Sequence, residues 1–106
     1  MIFNLFKNLF ASGNNNELAE IVKNGSFLVD VRTPGEFSSG SVKNAVNIPL
    51  NTINQNLKKF AGKENIVVFC QSGGRSGQAK RILEQNGITS VINAGGLQNV
   101  RQLLGQ

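Results

Sequence analysis

The sequence holds no histidine, no tryptophan and no tyrosine, and only one cysteine (Cys70) and one aspartate (Asp30) among 106 residues. Each shortage removes a class of chemistry. Without an imidazole, neither a Ser-His-Asp nor a Cys-His mechanism has its general base. A single cysteine makes no intramolecular disulfide, and without histidine partners it builds no Cys/His zinc site. No apolar run approaches the roughly 20 residues of a membrane span. All seven aromatics are Phe, and four of them sit in apolar stretches. That is not the pattern of a nucleic-acid surface, which interleaves stacking rings with a basic stripe, so no nucleic-acid partner is expected. Charged residues make up 16% and apolar residues 40% of the chain, a globular composition of a length that suits one compact domain. Eleven Lys and Arg against six Asp and Glu give a net charge of +5. These cations are dispersed, the tightest group being Lys58, Lys59 and Lys63. They read as a solvated helix face with a mild attraction for small anions.

Two regions divide the chain. In residues 1–13, Ile2, Phe3, Leu5, Phe6, Leu9 and Phe10 recur at helical spacing, opposite Asn4, Lys7 and Asn8. This predicts an amphipathic helix and a linker. The helix is expected to dock on the domain, a reading favoured over membrane contact through residues 2–10. A charged leader and an unbroken apolar stretch are lacking, so a secretory signal is not expected. Residues 14–106 form the domain proper, where helix and strand alternate.

Helices are predicted over residues 17–24, from the Thr33-Pro34-Gly35-Glu36 capping box to Gly40, over 51–60, over 78–86 and over 97–104. Strands are predicted over 27–31, 46–48, 66–69 and 90–92. The run Ile66-Val67-Val68-Phe69 is apolar throughout, so it belongs at the sheet centre, covered on both faces. Strands separated by helices imply an α/β fold, an open parallel sheet of four to five strands with helices on both faces.

In such sheets ligands bind beyond the carboxyl ends of the strands. Cys70 stands at that point on the central strand, followed by Gln71-Ser72-Gly73-Gly74-Arg75-Ser76 and a helix. Alone, a cysteine after a strand reads as a small buried hydrophobe. Two consecutive glycines change that reading, because they let the chain curl until successive N–H groups face one spot. The helix start adds partial positive charge and Arg75 a full one. All three favour a thiolate, so the Cys70 pKa is expected to be depressed.

With these residues in view, the chain resembles the rhodanese family of sulfurtransferases over residues 17–106. The resemblance rests on Asp30-Val31-Arg32 with Glu36-Phe37, and on the segment from Gly40 to Ala45 followed by Asn47-Ile48-Pro49. It also rests on Cys70 with Arg75-Ser76 after four intervening residues, and on Ala94-Gly95-Gly96. Order and spacing together make it specific. The resemblance implies a parallel α/β fold, Cys70 as the sulfur-accepting nucleophile, and the loop Gln71, Ser72, Gly73, Gly74, Arg75 and Ser76 as the cradle of a persulfide. The chain departs from the family at Ser41, often His, at Asn44, often Gly, and at Val100, often Trp. The family's first short strand is not evident before Glu17.

The function this implies is sulfane transfer from thiosulfate or a similar small anionic donor to a thiol, cyanide or a sulfur-acceptor protein. It needs no cofactor and no metal. A persulfide carrier that relays sulfur to a partner protein is the second reading. A cysteine phosphatase or arsenate reductase is the third, disfavoured because those loops place five residues between Cys and Arg. Arg32 and Glu36 are expected to pair and pin the connection after the first strand. Asp30 is expected to accept backbone N–H groups and order the active loop. The Ser72 and Ser76 hydroxyls either donate to the bound anion or cap the helix. A reduced single-cysteine chain is expected in the cytoplasm.

Overall fold

A computed structural model describes residues 15–106. The elements run α1 (Asn15–Lys23), β1 (Phe27–Asp30), α2 (Pro34–Ser38), β2 (Val46–Asn47), a 3₁₀ helix (Leu50–Gln55), α3 (Leu57–Phe60), β3 (Ile66–Cys70), α4 (Gly74–Gln85), β4 (Val91–Gly96) and α5 (Leu97–Leu104). All strand pairings are parallel, in the order β2-β1-β3-β4. The fold is therefore α/β with four strands among the described residues. The helix expected over residues 2–10 lies outside them.

Every residue of β3 is buried, as its unbroken apolar run requires. Strand geometry sends Ile66, Val68 and Cys70 to one face and Val67 and Phe69 to the other, and each set joins its own core cluster. On the first face they meet Ile53, Phe60, Ala79 and Leu83 from the 3₁₀ helix, α3 and α4. On the second they meet Val22 of α1 and Leu97 and Val100 of α5. Val100 is fully buried, so the smaller side chain at this family Trp position still packs into the core.

Three boundaries differ from expectation. Residues 51–60 do not make one helix, because Asn56 at φ −123° interrupts the run and leaves a 3₁₀ segment and a single α turn. Helix α4 begins at Gly74, before the expected Gln78, its first turn holding two glycines, Gly74 and Gly77, of low helix propensity. Strand β4 continues past Ile92 to Gly96 through a bulge: Val68 pairs with Asn93 but Cys70 pairs with Gly96, so β4 carries one extra residue. Gly95, at φ +84°, supplies the backbone shape the bulge needs. Asn44 takes the left-handed conformation at φ +70°, which asparagine tolerates better than other residues with a side chain.

The chain leaves β1 toward β2 on one side and returns to β3 on the other. The carboxyl ends of β1 and β3 therefore diverge at a switch point, where an open α/β sheet leaves a crevice. Asp30 and Cys70 close those two strands.

Candidate active site

Cys70 is the last residue of β3, buried at 1% exposure, and the loop after it folds back over its sulfur. The Gly73 N–H donates to Sγ at 3.0 Å and the Ser76 N–H at 3.4 Å. The Ser76 hydroxyl lies 3.4 Å from Sγ. Gly73 makes this curl possible: it sits at φ +104° as the residue preceding α4, a conformation that strains any side chain. Burial pushes the Cys70 thiol up, yet hydrogen bonds from the Ser76 hydroxyl and from the Ser76, Ser72 and Gly73 amides outweigh it. The net pKa lies below the ordinary thiol value.

Loop position is fixed from β4. The ideal Cβ of an alanine at Gly96 would stand 2.5 Å from the Gln71 carbonyl oxygen, so the strand end and the loop touch backbone to backbone. Asn93, which the sequence reading missed, reaches the loop by side chain. Its Oδ1 accepts from the Ser76 hydroxyl at 2.7 Å and from the Gly95 N–H at 2.9 Å, and its Nδ2 donates to the Gly73 carbonyl at 3.2 Å. The available signal was one amide inside the otherwise apolar run Val91-Ile92-Asn93-Ala94. The hydroxyl of Ser76 also approaches the Gly73 carbonyl at 3.1 Å. Gln71, Ser72 and Gly74 form the exposed lip of the loop.

The charged residues pair differently from expectation. Arg32 does not pair with Glu36. Its guanidinium grips Asp30 through Nε at 3.0 Å and Nη2 at 2.7 Å, both side chains being buried. Arg32 also donates to the Gly40 carbonyl at 2.7 Å and to Gln71 Oε1 at 3.4 Å. Asp30 accepts the Arg32 backbone N–H at 3.0 Å and the Ser41 hydroxyl at 2.8 Å. Two residues apart at a strand end, Asp30 and Arg32 make the shorter closure, which with Ser41 occupies both carboxylate oxygens of the one aspartate. Glu36 instead takes Arg75 of the active loop in a two-pronged ion pair, at 2.6 and 3.0 Å. That contact, with the Thr33 backbone and hydroxyl bonds of the capping box, lowers the Glu36 pKa to about 2. So the structure brings Cys70, Gly73, Arg75, Ser76, Glu36, Asp30 and Arg32 to one end of the sheet, with the Arg75 charge already partnered.

Among the described residues, no three His, Cys, Asp or Glu side chains gather to hold a metal ion. None of the described helices is long and apolar enough to cross a membrane.

Comparison with known proteins agrees with this architecture. A family model for the rhodanese-like domain matches residues 14–103. Thiosulfate sulfurtransferase PspE of Escherichia coli is 39% identical over 74 residues, covering 68% of this chain and 71% of that protein. A sulfurtransferase of Allochromatium vinosum is 36% identical over 69 residues, covering 65% of this chain and 64% of that one. A solved structure described as a rhodanese with anions from E. coli superposes with a TM-score of 0.64 at 38% identity, over 71% of this chain and 91% of its own. With the sheet, the cysteine loop and these similarities together, the chain belongs to the rhodanese-like domain family.

Proposed function

We propose that this chain is a sulfurtransferase that moves sulfane sulfur from thiosulfate, or a similar small anionic donor, to a thiophilic acceptor through a persulfide on Cys70. The observation that carries the reading is the pair of loop amides that donate to the Cys70 sulfur within 3.4 Å, with the Ser76 hydroxyl at the same distance beside it. Such donors favour the thiolate over the thiol and stabilise charge on a sulfur in its place. The names of the relatives support the same chemistry.

The Cys70 thiolate attacks the outer sulfur of the donor. A new S–S bond forms as the old one breaks, and its electron pair leaves with sulfite. The persulfide's terminal sulfur carries the negative charge toward the loop amides. An acceptor nucleophile (cyanide in an assay, a thiol or an acceptor protein in the cell) then takes that sulfur, and the electron pair returns to Cys70. Sulfite leaves without a proton, so neither step needs a general acid, and a chain without histidine can run both. No metal or other cofactor enters the scheme.

A phosphatase fits less well. Its leaving alkoxide needs a mobile acid, and the single aspartate is locked between Arg32 and Ser41. The loop also places four residues, not five, between Cys70 and Arg75.

The second reading is a persulfide carrier with little turnover of free thiosulfate. The Glu36–Arg75 pair favours it, because Arg75 has no spare charge for a dianion and Gln71 and Ser72 are neutral. Sulfite release with cyanide as acceptor separates the two. A transferase shows sustained turnover that Cys70→Ser abolishes. A carrier shows one equivalent of sulfite and then stalls until its acceptor is supplied. We place the protein in the cytoplasm on its single reduced cysteine. We divide the chain into residues 1–13, an amphipathic helix and linker, and the rhodanese-like domain of residues 14–106.

A further inference from the structure

We propose that Asn93 is a positioning residue of the sulfur site: its side-chain amide clamps the Gly73 peptide in the geometry that aims its N–H at Cys70, and holds the Ser76 hydroxyl beside the sulfur. The inference rests on the reading of Cys70 as the sulfur-accepting thiolate.

Gly73 gives the loop its shape but cannot give it rigidity, because glycine at φ +104° has wide backbone freedom. Something must hold the two peptide planes that flank it. One plane carries the N–H that donates to Sγ at 3.0 Å. The other carries the Gly73 carbonyl, which accepts from the Gly77 N–H at 3.0 Å and from Asn93 Nδ2 at 3.2 Å. The Gly77 bond lies within the start of α4 and moves with the loop. The Asn93 bond ties the loop to the sheet. Partners on both sides fix the amide's orientation, since Oδ1 meets the Gly95 N–H and Nδ2 meets a carbonyl.

Ser76 carries one hydroxyl proton and three acceptors: Asn93 Oδ1 at 2.7 Å, the Gly73 carbonyl at 3.1 Å and Sγ at 3.4 Å. Deleting the amide frees that proton for the Gly73 carbonyl or for the thiolate, a charged acceptor, so the hold on the Gly73 peptide is read with Ser76 replaced by alanine. Loss of Asn93 then loosens the Gly73 peptide and weakens its N–H bond to the thiolate. The charged groups around the loop are Arg75 of α4, held by Glu36 of α2, and Asp30 of β1, held by Arg32. None of them contacts the Asn93 amide through the bonds described, so the substitution leaves their charges in place.

The test uses the full chain and the ultraviolet absorbance of the thiolate as a function of pH. With one cysteine and no tyrosine, that signal reports Cys70 alone. In a Ser76→Ala background, Asn93→Ala is expected to raise the titration midpoint by about one pH unit, a roughly tenfold change in the ionisation equilibrium. Asn93→Leu in that background, which refills the volume without the polar atoms, is expected to do the same and covers the case in which alanine fails to fold. With Ser76 present the shift should be smaller, because the freed hydroxyl proton can turn to the thiolate. Val91→Ala in the Ser76→Ala background, a destabilising change on the same strand, should leave the midpoint where it is. The proposal is overturned if both Asn93 variants titrate with their Ser76→Ala parent, or if Val91→Ala shifts the midpoint as far as they do. A wild type that titrates low but takes up no sulfur contradicts the sulfurtransferase reading and leaves the clamp to be judged by the titration.

Discussion

Arg75 and Glu36 hold each other across the mouth of the site, two guanidinium nitrogens on two carboxylate oxygens at 2.6 and 3.0 Å. Their Cα atoms belong to different elements, the first turn of α4 and the short helix α2 that follows β1. The pair thus joins the cysteine loop to the capping box, where the same carboxylate accepts the Thr33 N–H and hydroxyl. One side chain caps a helix and neutralises the loop's cation.

The Glu36 carboxyl falls from an ordinary 4.5 to about 2 in the folded chain, chiefly through the Arg75 hydrogen bond. A carboxyl with a depressed folded pKa stabilises the fold above its unfolded pKa and loses that contribution as pH falls through the folded one. Glu36→Gln is therefore expected to melt below the wild type at pH 6. The gap should narrow as pH falls from about 4.5 toward 2. A gap independent of pH would show that the charge of Glu36 contributes nothing. The same variant frees Arg75, so it should lower the KM for dianionic thiosulfate.

Arg32 is expected to matter for folding rather than for chemistry. Arg32→Ala leaves Asp30 buried and without its cation, an arrangement that typically loses about 3–5 kcal/mol. Urea unfolding should show that loss, while sulfur uptake per folded molecule stays unchanged. Normal stability with lost uptake would instead place Arg32 on the substrate.

Two glycines near the loop should respond oppositely to alanine. Gly96→Ala drives a Cβ to 2.5 Å from the Gln71 carbonyl oxygen, and backbone there must move. Overpacking of this kind costs about 1–3 kcal/mol, and here it also displaces the loop, so sulfur uptake should slow. Gly77→Ala meets only Asn93 Nδ2, at 3.5 Å, inside α4. It should raise stability by up to about 1 kcal/mol through helix propensity. Thermal melts of both variants check the contrast, which fails if they shift in the same direction.

The sheet centre and the cysteine loop were legible in the sequence because their signals are local. Ile66 to Phe69 are apolar without interruption, and Cys70 leads directly into Gly73-Gly74 and Arg75. The ion pairs were not legible, because partner choice is a long-range matter. Glu36 lies four residues from Arg32 but reaches Arg75, 39 positions away, once β1 and β3 lie side by side. The end of β4 was hidden for another reason. The expected strand stops at Ile92, short of Asn93 and the Gly95-Gly96 pair, which the fold uses to form a bulge and to hold the loop.

Whether Cys70 carries sulfur is read from the intact mass of the protein after incubation with thiosulfate. A gain of one sulfur atom, about 32 Da, is expected, which cyanide removes and Cys70→Ala never shows, as befits a covalent nucleophile. A wild type that gains no mass while Cys70 stays open to alkylation would contradict that role.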